Sequence, residues 1–166
     1  MHIRHVQNDA GELARKQNLK TSQVDTYMNK YTAQSALISC GSTVEAVTNV
    51  CSGLMVEHAF AIVRPPGHHA HCNQIAGFCF YNNVGVAARV AQKRHGVKKV
   101  CIFDWDVHVG DGTSQIFYDD PSVLYISIHR FDQGKFYPGK AGEHSRVGEG
   151  AGKGFNVHFP FNVAKN

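Results

Sequence analysis

The chain has no cysteine pair at CxxC spacing, no run of like charges, and no apolar stretch near the roughly 18 residues of a membrane span. Its five cysteines (Cys40, Cys51, Cys72, Cys79, Cys101) are odd in number and scattered. That argues against a disulfide framework and a thiolate zinc site, and fits a reducing compartment. The first residues, Met1 to Asp9, lack the apolar core of a secretory leader, so a soluble intracellular protein is expected. Seventeen basic against thirteen acidic residues give a charge of only +4, and the basic residues do not cluster. Direct nucleic-acid binding is therefore not expected. There is no repeat, low-complexity tract or linker, and 166 residues that are 43% hydrophobic suit one compact domain. What the chain has in excess is histidine, eleven in all, a residue suited to metal and proton chemistry.

Residues 1–30 are polar and weakly patterned, and read as a surface helix or loop. From Thr32 to Val50, Ala36, Leu37, Cys40, Val44 and Val47 recur at helical spacing, predicting a helix on a flat surface. Ala59 to Val63 is a short apolar run stopped by Arg64-Pro65-Pro66-Gly67, which reads as a buried strand entering a stiff loop. Asn83 to Arg94 predicts a helix with Val84, Val86, Ala87, Ala88, Val90 and Ala91 facing inward and Gly96 as its C-cap. Lys99–Asp104 and Val123–His129 predict two buried strands, and Phe155–Pro160 a third, short one after the glycine-rich stretch from Gly134 to Gly154. Buried strands alternating with helices predict a mainly parallel sheet covered on both faces, with chemistry at the C-terminal strand ends.

Two sets of polar residues follow such ends. Asp104, Asp106 and His108 alternate with Trp105 and Val107, so period two puts them on one face. Two carboxylates and an imidazole converging there are best reconciled by a divalent metal, and mixed oxygen and nitrogen donors suit zinc. The plainer alternative is that the aspartates cap the next helix. His68 and His69 sit on the stiff Pro65-Pro66-Gly67 turn, where an imidazole can relay protons if an acceptor orients its other nitrogen. Asp104 and Asp111 are the candidate acceptors, although Asp111 could equally be the N-cap of a short helix toward Tyr118. Phe78 and the Phe136-Tyr137-Pro138 segment place aromatic rings on glycine- and proline-flanked loops, suited either to the core or to a narrow apolar channel.

Together, Arg64-Pro65-Pro66-Gly67-His68-His69-Ala70, Gly77-Phe78-Cys79-Phe80-Tyr81-Asn82, Asp104-Trp105-Asp106-Val107-His108-Val109-Gly110-Asp111-Gly112-Thr113 and Asp120-Pro121-Ser122-Val123-Leu124-Tyr125 resemble the zinc-dependent histone deacetylases, class II in flavour. The resemblance runs from about Tyr31 to the C-terminus, making 31–166 the N-terminal and central part of such a catalytic domain. It implies the three-layer α/β/α sandwich of the arginase/deacetylase fold, truncated, with a mainly parallel sheet. By the same resemblance Asp106 and His108 are zinc ligands, His69 is the general base and acid, and His68 its electrostatic partner. Asp104 and Asp111 orient His68 and His69 respectively. Gly77, Phe78 and Tyr137 line the tunnel for the acetyl-lysine side chain, and a structural K+ sits near Asp104, Asp106, His108, Ser127 and Ile128.

The implied reaction is hydrolysis of the acetyl amide of acetyl-lysine in histone tails or other proteins, with corepressors as possible partners, no membrane, and a nuclear or cytoplasmic location. The family's third zinc ligand, an aspartate, and its oxyanion tyrosine are expected beyond Asn166, so the 166-residue chain alone is expected to be inactive or nearly so. Val109 stands where the family motif has a second histidine. Two other readings remain open: a non-catalytic remnant acting as an interaction module, and an acetylpolyamine deacetylase.

Overall fold

Three parallel strands carry the fold. The structure is a computed structural model that describes residues 28–53 and 56–163. In chain order its main elements are α1 (Thr32–Cys51), α2 (Asn83–His95), β1 (Val100–Asp104), α3 (Asp111–Ile116), β2 (Val123–Arg130) and β3 (Asn156–Phe161). The strands lie in the order β1-β2-β3 and pair in parallel, with Asp104 beside Ser127 and Ile128 beside Phe159. Parallel neighbours need a crossover. The short α3 supplies the first, and the glycine-rich segment with three 3-10 turns supplies the second. This is the parallel α/β architecture expected from the sequence.

Alternation along β2 sorts the sheet into two faces. Val123, Tyr125, Ser127 and His129 are all fully buried on one side, where Ile102, Val109, Phe117 and Ala88 complete the core. Complete burial of a ring such as Phe117 stabilises the fold by roughly 2–3 kcal/mol. The opposite face carries Phe103, Ile128 and Phe159, each at least 43% exposed. Among the described residues helices cover one face only, so one helical layer of the expected sandwich is seen. The polar segment expected over 1–30 lies outside the described residues except for 28–30.

Both long helices form where periodicity placed them, with corrections to what they touch. In α2 the Asn82 side chain accepts the Gly85 N–H at 2.9 Å, Lys93, Arg94 and His95 occupy the last turn, and Gly96 closes the helix at φ +70°. Cap, basic last turn and left-handed glycine all suit the helix termini. The buried face is nevertheless Asn83, Gly85, Ala87, Ala88 and Ala91, while Val84 and Val86 point to solvent. Small residues permit the close approach that valines would block. α1 packs on α2 rather than on the sheet. It buries Ala33, Ala36 and Ser39, and the Ser39 hydroxyl donates to the Pro65 carbonyl and accepts from Asn83 at 2.7 and 2.9 Å.

The strand expected at Ala59–Val63 does not form. The segment has no ladder partner, and Phe60 and Ile62 are 90% and 94% exposed. An apolar run becomes a strand only beside a partner, and the described sheet ends at β1.

Candidate active site

Four segments meet at the C-terminal end of the sheet: the loop 64–71, the turn 76–79, the end of β1 with the loop into α3, and the loop after β2. The first is held by its backbone, since Thr113 N–H donates to the His68 carbonyl at 3.0 Å and Asn82 donates to the Ala70 carbonyl at 3.1 Å. Gly112 allows this docking, because a Cβ there would lie 2.4 Å from the Ala70 oxygen.

His68 and His69 then diverge from adjacent positions to separate carboxylates. His68 Nδ1 lies 2.9 Å from Asp104 Oδ2, and His69 Nδ1 lies 2.7 Å from Asp111 Oδ1. Carboxylates accept, so each Nδ1 carries the proton and Nε2 is left for exchange. Asp104 is fixed further by Tyr125, whose hydroxyl donates to Oδ2 at 2.9 Å, and by the Asp106 N–H at 3.2 Å. Asp111 is the first residue of α3 and makes no capping bond; Gly110 is the N-cap. The alternative of a capping Asp111 is thereby set aside.

Electrostatics distinguish the two histidines. Burial lowers the His69 pKa, and although the Asp111 hydrogen bond opposes this, the nearby His68 reinforces it; the net shift is downward. His68 is also penalised by burial, but its hydrogen bond to Asp104 and the charges of Asp104, Asp106 and Asp111 prevail, so its pKa rises. Both aspartates resist protonation: burial would raise them, but the hydrogen bonds and charges of their histidines hold them below the usual carboxylate range. A neutral His69 beside a more basic His68 is the combination a general base requires.

Asp106 and His108 lie past the end of β1, so the expected strand alternation stops at Asp104. They still meet: His108 Nδ1 is 3.1 Å from Asp106 Oδ1, and His68 Nε2 is 4.0 Å from the same oxygen. Two ligands at the usual zinc distances in a tetrahedron are separated by about 3.3 Å, so this donor pair fits two corners of a metal site. Among the described residues no group of three metal-binding side chains converges.

The expected tunnel residues divide. The Tyr137 ring lies 5.0 Å from His69 and 5.9 Å from His108, edge-on to both. Gly77 is required beside them, at φ +49° and with the place of a Cβ only 2.3 Å from the His69 ring. Phe78 is half exposed at φ +67° and makes no ring contact with the histidines among the described residues. Of the expected cation residues, Asp104 and Ser127 are neighbours across β1 and β2, and the Ser127 hydroxyl is bonded to His129 Nδ1 at 2.9 Å. The Ile128 side chain points to the open face.

Three further residues, Cys79, Tyr125 and His71, were not anticipated at the site, whereas Phe136 was expected there with Tyr137. The Cys79 thiol accepts the His69 N–H at 3.4 Å, and burial pushes its pKa up to about 12, so it stays a neutral thiol. Tyr125 buttresses Asp104, and period two along β2 with Ser127 and His129 already pointed it inward. Phe136 stacks on His108 at 4.7 Å and is backed by Arg130, which is paired with Asp132. His71 reaches Asp111. A cleft of about 440 Å³ opens beside His68, lined by Val63, Gly67, Phe103, Asp104 and Asp106. Another of about 460 Å³ against α2 reaches this group of residues only at His71.

A parallel α/β domain with paired histidines and aspartates at its strand ends has relatives at every level of comparison. A histone deacetylase domain model matches residues 1–166. Histone deacetylase HDA1 of Candida albicans is 47% identical over 165 residues, covering 96% of this chain and 20% of that protein. Histone deacetylase clr3 of Schizosaccharomyces pombe is 47% identical over 150 residues, covering 89% of this chain and 22% of that protein. The crystal structure of an HDA15 HD domain matches with a TM-score of 0.83 at 44% identity, over 96% of this chain and 42% of that one. The chain belongs to the histone deacetylase family. It spans about a fifth of the length of these curated relatives.

Proposed function

We propose that the protein containing this chain hydrolyses the acetyl amide of acetyl-lysine side chains in histones or other proteins, with Zn2+ as cofactor. The observation that carries this reading is the His69–Asp111 pair, 2.7 Å apart and almost buried, beside the Asp106–His108 donor pair. A zinc ion held by Asp106 and His108 would supply the Lewis acidity that polarises the amide carbonyl.

The chain's own residues handle the proton. Asp111 keeps the proton of His69 on Nδ1, so Nε2 can accept one from the attacking water. As the C–N bond breaks, the same Nε2 returns that proton to the lysine nitrogen, giving free lysine and acetate. His68, tied to Asp104, places a more basic ring 4.1 Å from His69, which keeps His69 neutral until it takes the water's proton and favours passing that proton on to the leaving nitrogen. Tyr137 with Phe136 forms an apolar wall that excludes water from the reacting amide. Phe78 stands at the rim beside Gly77. A structural K+ near Asp104, Asp106, His108, Ser127 and Ile128 belongs to the same reading, as do a nuclear or cytoplasmic location and corepressor partners.

The test is acetate release from acetyl-lysine peptides by the full-length protein, with acetylspermidine in parallel and with chelator and zinc add-back. Turnover of the peptide that survives His69→Ala or Asp106→Ala would sink the proposal, and preference for acetylspermidine would move it to polyamines. The alternative reading is a non-catalytic interaction module. Failure of the full-length protein to bind zinc would select it.

A further inference from the structure

Asp104 is held by three donors, but Asp111 has only two side-chain partners among the described residues, His69 and His71. His71 Nε2 lies 3.2 Å from Asp111 Oδ2, while His69 occupies Oδ1. The opposite nitrogen of His71, Nδ1, meets Oε1 of Gln115. Asp111 and Gln115 are four residues apart on α3, so they share one face and His71 bridges both. The ring is steadied in turn by its own backbone, where the His71 N–H donates to the Gln74 carbonyl at 2.9 Å.

The protonation pattern follows from the partners. A carboxylate only accepts, so Nε2 of His71 must carry a hydrogen. The Gln115 amide can present either its oxygen or its nitrogen to Nδ1, so it accommodates whichever state that nitrogen adopts. His71 therefore donates to Asp111 in every arrangement this geometry allows. Without that donor, Asp111 would hang at the start of a six-residue helix with no capping bond and a single partner.

We propose that His71 is a positioning residue for the proton-handling pair: its Nε2–H clamps the second oxygen of Asp111 and so sets the face that the carboxylate presents to His69. The idea rests on the deacetylase reading for its kinetic consequence but not for its structural one. His71 touches neither the candidate metal ligands nor the channel aromatics among the described contacts. Its effect must pass through Asp111.

The test uses the full-length protein and two readouts. In His71→Phe, which keeps a flat ring but cannot donate, kcat on an acetyl-lysine peptide should fall about tenfold with KM within about twofold, as for loss of a partner that orients a catalytic group. His71→Gln, which retains a donor, should recover most of that loss, and bound zinc should be equal in all three proteins. A crystal structure of the Phe variant should show the Asp111 carboxylate turned away from His69 Nδ1. If Asp111 holds its place in that structure, the proposal is overturned whether or not the protein turns over. Wild-type protein that releases no acetate would defeat the deacetylase reading alone, leaving the crystal structure to decide on His71. Should the Phe variant fail to fold, Gln115→Leu removes the support of His71. It should reduce kcat about threefold at constant KM, and an unchanged kcat would overturn the proposal.

Discussion

His68 and His69 each place a ring nitrogen within 2.9 Å of a carboxylate that is at most 15% exposed, whereas the Asp106 side chain is 50% exposed and its His108 partner 34% exposed. The half proposed to handle protons is thus enclosed by Tyr125, Cys79 and Gly77, while the half proposed to hold the metal stands at the open edge of the sheet. Enclosure raises the electrostatic strength of a pair and fixes its geometry. An exposed donor pair is only loosely fixed until a cation draws its members together. The two halves should respond differently to substitution, although the proposed reaction needs both.

The largest effects should come from removing one half at a time in the full-length protein. His69→Ala should lower turnover roughly a hundred- to ten-thousandfold while bound zinc, measured by elemental analysis, stays at the wild-type level. Asp106→Ala should abolish both zinc and turnover. If His69→Ala also loses the metal, the two halves are not independent and the contrast fails. A more selective blow falls on the proton half. Gly77→Ala would drive a methyl into the His69 ring at a positive-φ position, and a displacement of about 1 Å there should cost on the order of a hundredfold in kcat, with zinc content again unchanged.

Acid should probe the enclosed side through stability. His158 lies beneath the site with Nδ1 buried and unpartnered, and its pKa is lowered from 6.5 to about 4 by burial, by His129 and by Arg146. As pH falls from 6.5 toward 4 the unfolded chain takes up this proton first, so folding stability should be lost across that window. The loss should reach at most roughly 3 kcal/mol. His69 and His129, also lowered, act in the same sense. His68, raised, opposes them, contributing stability at low pH that disappears as pH rises through its folded value. Asp104 and Asp111 contribute stability above the ordinary carboxylate value, lost only as pH falls through their lower folded values. Thermal unfolding from pH 7 to 4 should therefore be flatter in His158→Gln; an unchanged slope would assign the loss elsewhere. The smallest effect is expected at Val109, buried against Ile102, Phe117 and Tyr125. Val109→Ala should cost about 2 kcal/mol of stability and leave the ratio of zinc content to turnover intact.

Much of this was legible in the residue order. The Asp104–Gly110 segment announced itself because polar residues after a buried strand have few other uses, Pro65–His69 by its stiff turn although the strand expected before it does not form, and Gly96 marked the end of α2. Other features depend on partners distant in sequence. Ala59–Val63 has the composition of a strand, yet pairing decides whether it becomes one. The inward face of α2 includes the expected Ala87, Ala88 and Ala91, but Asn83 and Gly85 complete it in place of the expected Val84 and Val86. His71 offered no signal at all, since a histidine in a polar loop acquires meaning only when α3, forty positions later, delivers Asp111 and Gln115 to it.

The divergence of His68 and His69 has an evolutionary corollary. The two are joined by a peptide bond, yet each answers to a carboxylate more than thirty positions away, Asp104 for one and Asp111 for the other. Epistasis should follow these pairs and not the chain: double-mutant cycles should give large coupling energies for His68 with Asp104 and for His69 with Asp111, and smaller ones across the pairs. Substitutions in this protein's descendants would then be accepted two at a time, between residues far apart in sequence.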